Sequence, residues 1–152
     1  MTRKEKAIEL FKSGYNCSQA VVLAFSDLVD IDEKTLIKLA NPFGGGISRL
    51  REVCGAFSGI AMIMGLLYGY DNVDNIEDKK AIYEEVQSLA ARFEKKNGSI
   101  ICRQLLNLDV KHDNPNPSVR TNEYYQKRPC PELVGSAAEI LEEYINNHPT
   151  KE

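Results

Sequence analysis

The 152-residue sequence predicts an all-α fold, a bundle of six or seven helices around a buried, glycine-rich central helix. Three observations lead there. Apolar residues recur at the three- and four-residue spacing of a helical face through most of the chain. Cap and stop residues punctuate those stretches at helix-like intervals. No run alternates apolar and polar side chains as a half-buried strand does.

Each element has its own signal. Ala7, Ile8, Leu10 and Phe11 form a first stripe, and Gly14 is placed to end that helix. Asn16 reads as the next N-cap, with Gln19 three residues on as a capping-box partner. Ala20, Val21, Leu23, Ala24, Phe25 and Leu28 follow on one helix. Asp32 caps a short helix carrying Leu36, Ile37, Leu39 and Ala40, which Asn41-Pro42 stops.

Phe43-Gly44-Gly45-Gly46 is a flexible turn before the central helix, expected over about residues 49–67. Residues 53–70 carry no charged side chain, close to the length of a membrane span. Gly55, Gly59, Gly65 and Gly69, with Arg51 and Glu52 at its start, favour a core helix buried on all sides. Asp74 with Glu77 opens a long helix to Asn97, its inner face being Ile82, Val86, Leu89, Ala90 and Phe93, and Gly98 ends it. Ser99 caps a shorter helix over residues 100–106. Residues 107–130 are the one long irregular stretch, broken by Asn114-Pro115-Asn116-Pro117 and anchored by Tyr124-Tyr125. A loop of that length is a functional lid or disordered. The last helix starts at Pro131 and repeats Leu133, Val134, Ala137, Ile140, Leu141, Tyr144 and Ile145.

Composition narrows the function classes. The length suits a single domain over residues 1–152, able to bury roughly 68–70% of its unfolded surface. Lys and Arg number 19 against 22 Asp and Glu, a net charge of -3, so the concentrated basic face of a nucleic-acid binder is not expected. Apolar residues make up 43%, enough to exclude disorder at this charge. The opening MTRKEKAIELF lacks the apolar run of a secretory signal, so a cytoplasmic protein without membrane insertion is the expectation.

In a reducing compartment four cysteines mean metal binding, redox chemistry or plain burial. Cys17, Cys54, Cys102 and Cys130 never form a CxxC pair, which excludes zinc-ribbon and thioredoxin-type motifs. All four fall near predicted helix starts: Cys17 after the cap Asn16, Cys54 early in the central helix, Cys102 three residues after Ser99, Cys130 just before Pro131. Free N–H groups and the positive end of the helix dipole stabilise an anion there, so lowered thiol pKa values are expected. Arg49 and Arg51, Arg103, and Lys127 with Arg128 add positive charge beside Cys54, Cys102 and Cys130. The competing reading is that buried cysteine acts as a small hydrophobe.

The run Cys54-Gly55-Ala56-Phe57-Ser58-Gly59 needs a reason, since a helical glycine costs about 1 kcal/mol against alanine. Gly55 and Gly59 either let a cofactor approach the thiol or let another helix pack closely. Arg49 and Glu52 either serve groups near Cys54 or pair with each other. His112 lies beside Asp113 in the irregular stretch, and His148 in a solvated tail. HExxH, GxSxG and P-loop motifs do not occur.

Together, Cys17, Cys54-Gly55-Ala56-x-x-Gly59, Cys102 and Cys130 resemble the redox-active protein family named for its C_GCAxxG_C_C cysteine signature. Asn16-Cys17-Ser18-Gln19-Ala20 looks like its first cysteine box, and Phe43-Gly44-Gly45-Gly46 through Arg49, Glu52 and Val53 looks like the approach to its central motif. The family label writes Gly before Cys, whereas here Cys54 precedes Gly55. The resemblance implies a redox role and a redox partner, with a link to a transporter system through gene neighbourhood. It names no substrate.

Three functions remain. The cysteines can cycle as thiols and disulfides, which needs Cα atoms about 4.4–6.8 Å apart and leaves three pairings open. Cys102 and Cys130, with the loop between them, are then the mobile pair. All four can instead ligate an iron–sulfur cluster or zinc, with Gly55, Gly59 and Arg49 as the cofactor-binding neighbours. Finally, the chain can be a structural helical homodimer with incidental cysteines.

Overall fold

The computed structural model describes residues 1–150. Among them, eight right-handed helices account for the fold. They are α1 (Arg3–Lys12), α2 (Cys17–Ala24), α3 (Glu33–Ala40) and α4 (Gly55–Tyr68), then α5 (Ile76–Asn97), α6 (Cys102–Leu105), α7 (Asn122–Lys127) and α8 (Cys130–Asn147). Short 3-10 turns lie at Ser26–Leu28 and Asn41–Phe43.

The centre of the bundle is α2. Every residue from Ser18 to Ala24 is buried, and α2 packs against α1, α3, α4 and α8. Its capping box is complete: Gln19 N donates to Asn16 Oδ1 at 2.9 Å, and Asn16 N donates to Gln19 Oε1 at 3.0 Å. Gly14, at φ +122°, lets the chain turn from α1 into this cap. Thus the glycine-rich helix is a flank of the core rather than its axis. One face of α4 is buried, while Gly65 and Leu66 are exposed. Gly59 explains the close fit, because a Cβ there would lie 2.8 Å from Val21 Cβ on α2.

Three other expectations change. The helix predicted from residue 49 begins only at Gly55, because Val53 leaves helical geometry to form an antiparallel bridge with Ile101. That bridge also shortens the predicted 100–106 helix to the single turn α6, and Ser99 Oγ instead accepts from Ile101 N at 2.9 Å. The eighth helix, α7, lies inside the stretch predicted to be irregular and is capped by Thr121 Oγ1, which accepts from Tyr124 N at 3.2 Å. At six residues it is too short to show a repeated apolar period.

The long helix α5 is capped by Asn75 rather than Asp74. Of its predicted inner face only Leu89 and Phe93 are fully buried. Ile82, Val86 and Ala90 pack partly exposed against the core. Its first turns are mostly exposed, Ile76 and Tyr83 included. No helix among the described residues is long and apolar enough to cross a membrane.

The α2–α4 contact is testable. Gly59→Val would force Val21 or the helix axis to move, and overpacking of this kind costs about 1–3 kcal/mol. A matching fall in the urea midpoint, with an unchanged m-value, is the expected result.

Candidate functional site: a cavity lined by four thiols

Helix starts deliver the cysteines. Cys17, Cys102 and Cys130 are the first residues of α2, α6 and α8, and Cys54 is the N-cap of α4. All four line one cavity of about 460 Å³, and all are free thiols.

Two close approaches bring them there. In the bridge, Cys54 N donates to Ile100 O at 2.7 Å and Cys102 N donates to Glu52 O at 2.6 Å. Side chains alternate across an extended segment, so Cys54 and Cys102 turn together to the face opposite Val53 and Ile101. Gly55 then leaves room for Cys17, since a Cβ at Gly55 would collide with Cys17 Sγ and sit 2.7 Å from Phe43 O. Of the two predicted cofactor-binding glycines, Gly55 borders the cavity, whereas Gly59 serves the packing of α4 on α2.

The glycine turn is not a flexible linker. Gly45, Gly46, Ile47, Ser48 and Arg49 all have φ between 50° and 71°, a left-handed turn, and Arg51 follows at φ 60°. For a residue with a Cβ this conformation costs roughly 1–2 kcal/mol, so surrounding bonds must impose it. Glu52 N donates to Gly46 O at 2.9 Å, Arg51 N to Gly45 O at 3.2 Å, and Asp113 N to Arg49 O at 3.0 Å. Gly46 has no space for a side chain, because a Cβ would lie 2.6 Å from Cys102 Cβ and 2.7 Å from Glu52 N. The turn also aims the Gly45 N–H at the Cys17 sulfur.

From this turn two arginines reach across the site. Arg51 is 3% exposed, with Nη1 3.6 Å from Cys102 Sγ and Nη2 2.9 Å from Asp113 Oδ2. Arg49 Nη2 donates to the same Asp113 oxygen at 3.2 Å, and its Nε and Nη1 donate to Asn114 O at 2.6 Å and Ser118 Oγ at 3.1 Å. Of the two readings left open for Arg49 and Glu52, pairing with each other does not occur, and Glu52 pairs with Arg103 at 3.1 Å. Further along, Arg120 Nη2 donates to Tyr15 O at 2.8 Å and Nη1 to Phe11 O, with the guanidinium 4.0 Å over the Phe11 ring. The segment before α7 is therefore pinned at two places, and Pro117, Ser118 and Arg120 form part of the cavity wall.

Burial, not the helix dipole, governs most of the thiols. Loss of water pushes Cys54 well above the ordinary thiol value, and a charge on Cys17 pushes it further. Cys130 is raised to about 12, first by burial and then by Cys17, against a lowering contact from the Tyr124 hydroxyl. Cys17 is raised by burial too, which the Gly45 N–H only partly offsets. The lowered values expected from helix starts are thus reversed for these three, because burial removes water that would solvate a thiolate. The thiols act on one another: a charge on Cys17 raises Cys54 and Cys130, and a charge on Cys102 raises all three of the others.

Among the described residues no group of three or more His, Cys, Asp or Glu side chains is arranged to hold a metal ion. His112 is exposed and is not part of the cavity wall. His148 is exposed as expected and stacks on Tyr144, ring centroids 4.0 Å apart. The sequence reading missed Asp113, Arg120 and Tyr124 as parts of the site. Asp113 had no periodic signal, and its partners Arg49 and Arg51 lie more than sixty residues away.

A family model described as "Putative redox-active protein (C_GCAxxG_C_C)" matches residues 15–144. The chain belongs to this family. The match takes in all four thiols of the cavity, the left-handed turn and the Arg51–Asp113 pair. Neither the curated proteins nor the solved structures give a match.

The Arg49–Asp113–Arg51 clasp predicts a pH dependence. Hydrogen bonding from Arg51 holds the Asp113 carboxyl below the usual aspartate range. A depressed folded-state value contributes stability that is present above the unfolded pKa of about 3.9 and is lost as pH falls through the folded value. Asp113→Asn removes that contribution at every pH. Limited proteolysis at pH 7 is expected to cut the variant within residues 107–121 several-fold faster than wild type. The wild-type protein should reach the same susceptibility only when pepsin is used below about pH 3.

Proposed function

We propose that the chain is a dithiol–disulfide redox protein in which Cys102 is the attacking thiol and Cys17 the resolving one. One observation carries this reading: four free thiols share a cavity, and the buried Arg51 guanidinium is directed at the Cys102 sulfur at 3.6 Å. A thiolate is the attacking species in exchange, and a cation held against sulfur stabilises it. Cys17 is given the second role because it shares the cavity with Cys102 and a charge on Cys102 acts on it, as it also does on Cys54 and Cys130. Its sulfur also receives the Gly45 N–H, which would support negative charge as it forms. Cys54 and Cys130, held protonated by burial, serve as a reserve pair or hand electrons onward through Cys17.

Ligation of an iron–sulfur cluster or zinc by the same four cysteines is the weaker reading, since the donors are not gathered around a metal position. Tyr124, stacked edge-on against Tyr125 at 5.3 Å, instead closes the Cys130 side of the cavity.

Reaction of the reduced protein with limiting iodoacetamide at pH 7.5, followed by peptide mass mapping, is expected to label Cys102 first. Arg51→Met should slow that labelling about tenfold or more, the loss of one hydrogen bond to a charged group. First labelling at Cys54 or Cys130 would sink the assignment. Mild diamide oxidation should produce a Cys17–Cys102 disulfide, and a native mass exceeding the denatured mass by bound iron or zinc would instead support the cluster.

A further inference from the structure

We propose that the thiol cavity takes a small anionic disulfide, one carrying a carboxylate or similar group on each half. This rests on the dithiol reading and adds the charge of the substrate to it. The walls of the cavity hold Arg49, Arg51, Arg120 and Arg128, four of the seven arginines in the chain. Among the described residues they hold no aspartate, no glutamate and no lysine, although the chain has 22 acidic residues against 19 basic ones. Chance placement on a net-acidic chain would surround a cavity with carboxylates at least as often as with guanidinium groups.

The positive charge is not cancelled within the site. Among the described residues Asp113 is the one carboxylate paired with these arginines, and it is shared between Arg49 and Arg51. Arg120 uses its N–H groups on the neutral carbonyls of Phe11 and Tyr15, and Arg128 lies 5.6 Å over the Tyr124 ring. Neither forms an ion pair among the described residues. Guanidinium groups recognise carboxylates and other oxyanions through paired N–H donors, and a low-dielectric wall strengthens that attraction. At about 460 Å³ the cavity is within the ordinary range for a small-molecule site. Arg51 stands at Cys102, while Arg120 and Arg128 reach the cavity from the segments around α7. A ligand with a central S–S bond and a charged group at either end matches that distribution.

The exchange balances. The Cys102 thiolate attacks one sulfur of the ligand R–S–S–R, forming a mixed disulfide and releasing R–S⁻. The Cys17 thiolate then attacks the Cys102 sulfur, forming the Cys17–Cys102 bond and releasing the second R–S⁻. The two protons from the protein thiols end on the two released thiolates. Two electrons pass from the protein to the ligand, which leaves as two thiols.

Three disulfides of one skeleton test the charge preference: dianionic 3,3′-dithiodipropionate, neutral bis(2-hydroxyethyl) disulfide and dicationic cystamine. Reduced full-length protein should oxidise with the dianion about 10-fold or more faster than with cystamine at low salt, and the advantage should shrink at 1 M salt. Arg128→Gln and Arg120→Gln should each cut the dianion rate severalfold more than the neutral disulfide rate, so that the ratio of the two rates falls. The salt dependence needs no variant, so the proposal stays falsifiable if Arg120→Gln does not fold. Equal rates for the three disulfides, or a preference that survives both substitutions and high salt, would overturn it. The unreactive thioether 3,3′-thiodipropionate separates the two layers. If calorimetry shows it binding to wild type but not to Arg128→Gln while no disulfide reacts, the anion site stands and the dithiol reading fails. If disulfides react but the thioether does not bind, the dithiol reading stands and the anion site fails.

Discussion

A buried guanidinium must be paired, and at Arg51 this requirement connects much of the site. With 3% of its surface exposed, Arg51 cannot rely on water, and an unpaired charge there would cost several kcal/mol. Its partners are Asp113, from the segment before α7, and Cys102, at the start of α6. Meeting both pulls a distant segment over the cavity and fixes the sulfur. The backbone that delivers Arg51 is itself held in left-handed geometry from Gly45 to Arg49, and it is kept there by bonds from Glu52 and Asp113. Strain in the turn and the ion pair over the cavity therefore sustain each other.

The thiols divide according to the same physics. Burial raises Cys17, Cys54 and Cys130, because a thiolate loses more by leaving water than a helix start returns. Protonated thiols are protected from adventitious oxidation. The one thiol with a guanidinium directed at its sulfur among the described residues is Cys102. Four of the chain's seven arginines line this one chamber, although the chain has a net charge of -3.

The helices whose packing face repeats over two or more turns were legible in the sequence. Asn16 and Asp32 cap where their spacing places them, and Gly98 ends α5 at φ 99°. The four cysteines read as helix-start residues and occupy helix starts to within one position. Less legible was the stretch from Gly44 to Gly55. An apolar, glycine-rich run signals a helix to local reasoning, and left-handed backbone at Arg49 and Arg51 together with the pairing of Val53 with Ile101 removes residues 49–54 from it. The roles of Gly55 and Gly59 also separated only when their neighbours were known: one faces Cys17 and the other Val21.

By itself the sequence determined an all-α chain, its principal caps, and four thiols of a recognisable signature, because these follow from local spacing and residue chemistry. Tertiary structure decided that the thiols share one cavity, that Arg51 belongs to Cys102 rather than to its neighbour Cys54, and that Asp113 closes the site. Those are contacts between residues far apart in the sequence, 51 positions in the case of Arg51 and Cys102. No local propensity encodes them. They arise when burial leaves a charged group one remaining way to be satisfied.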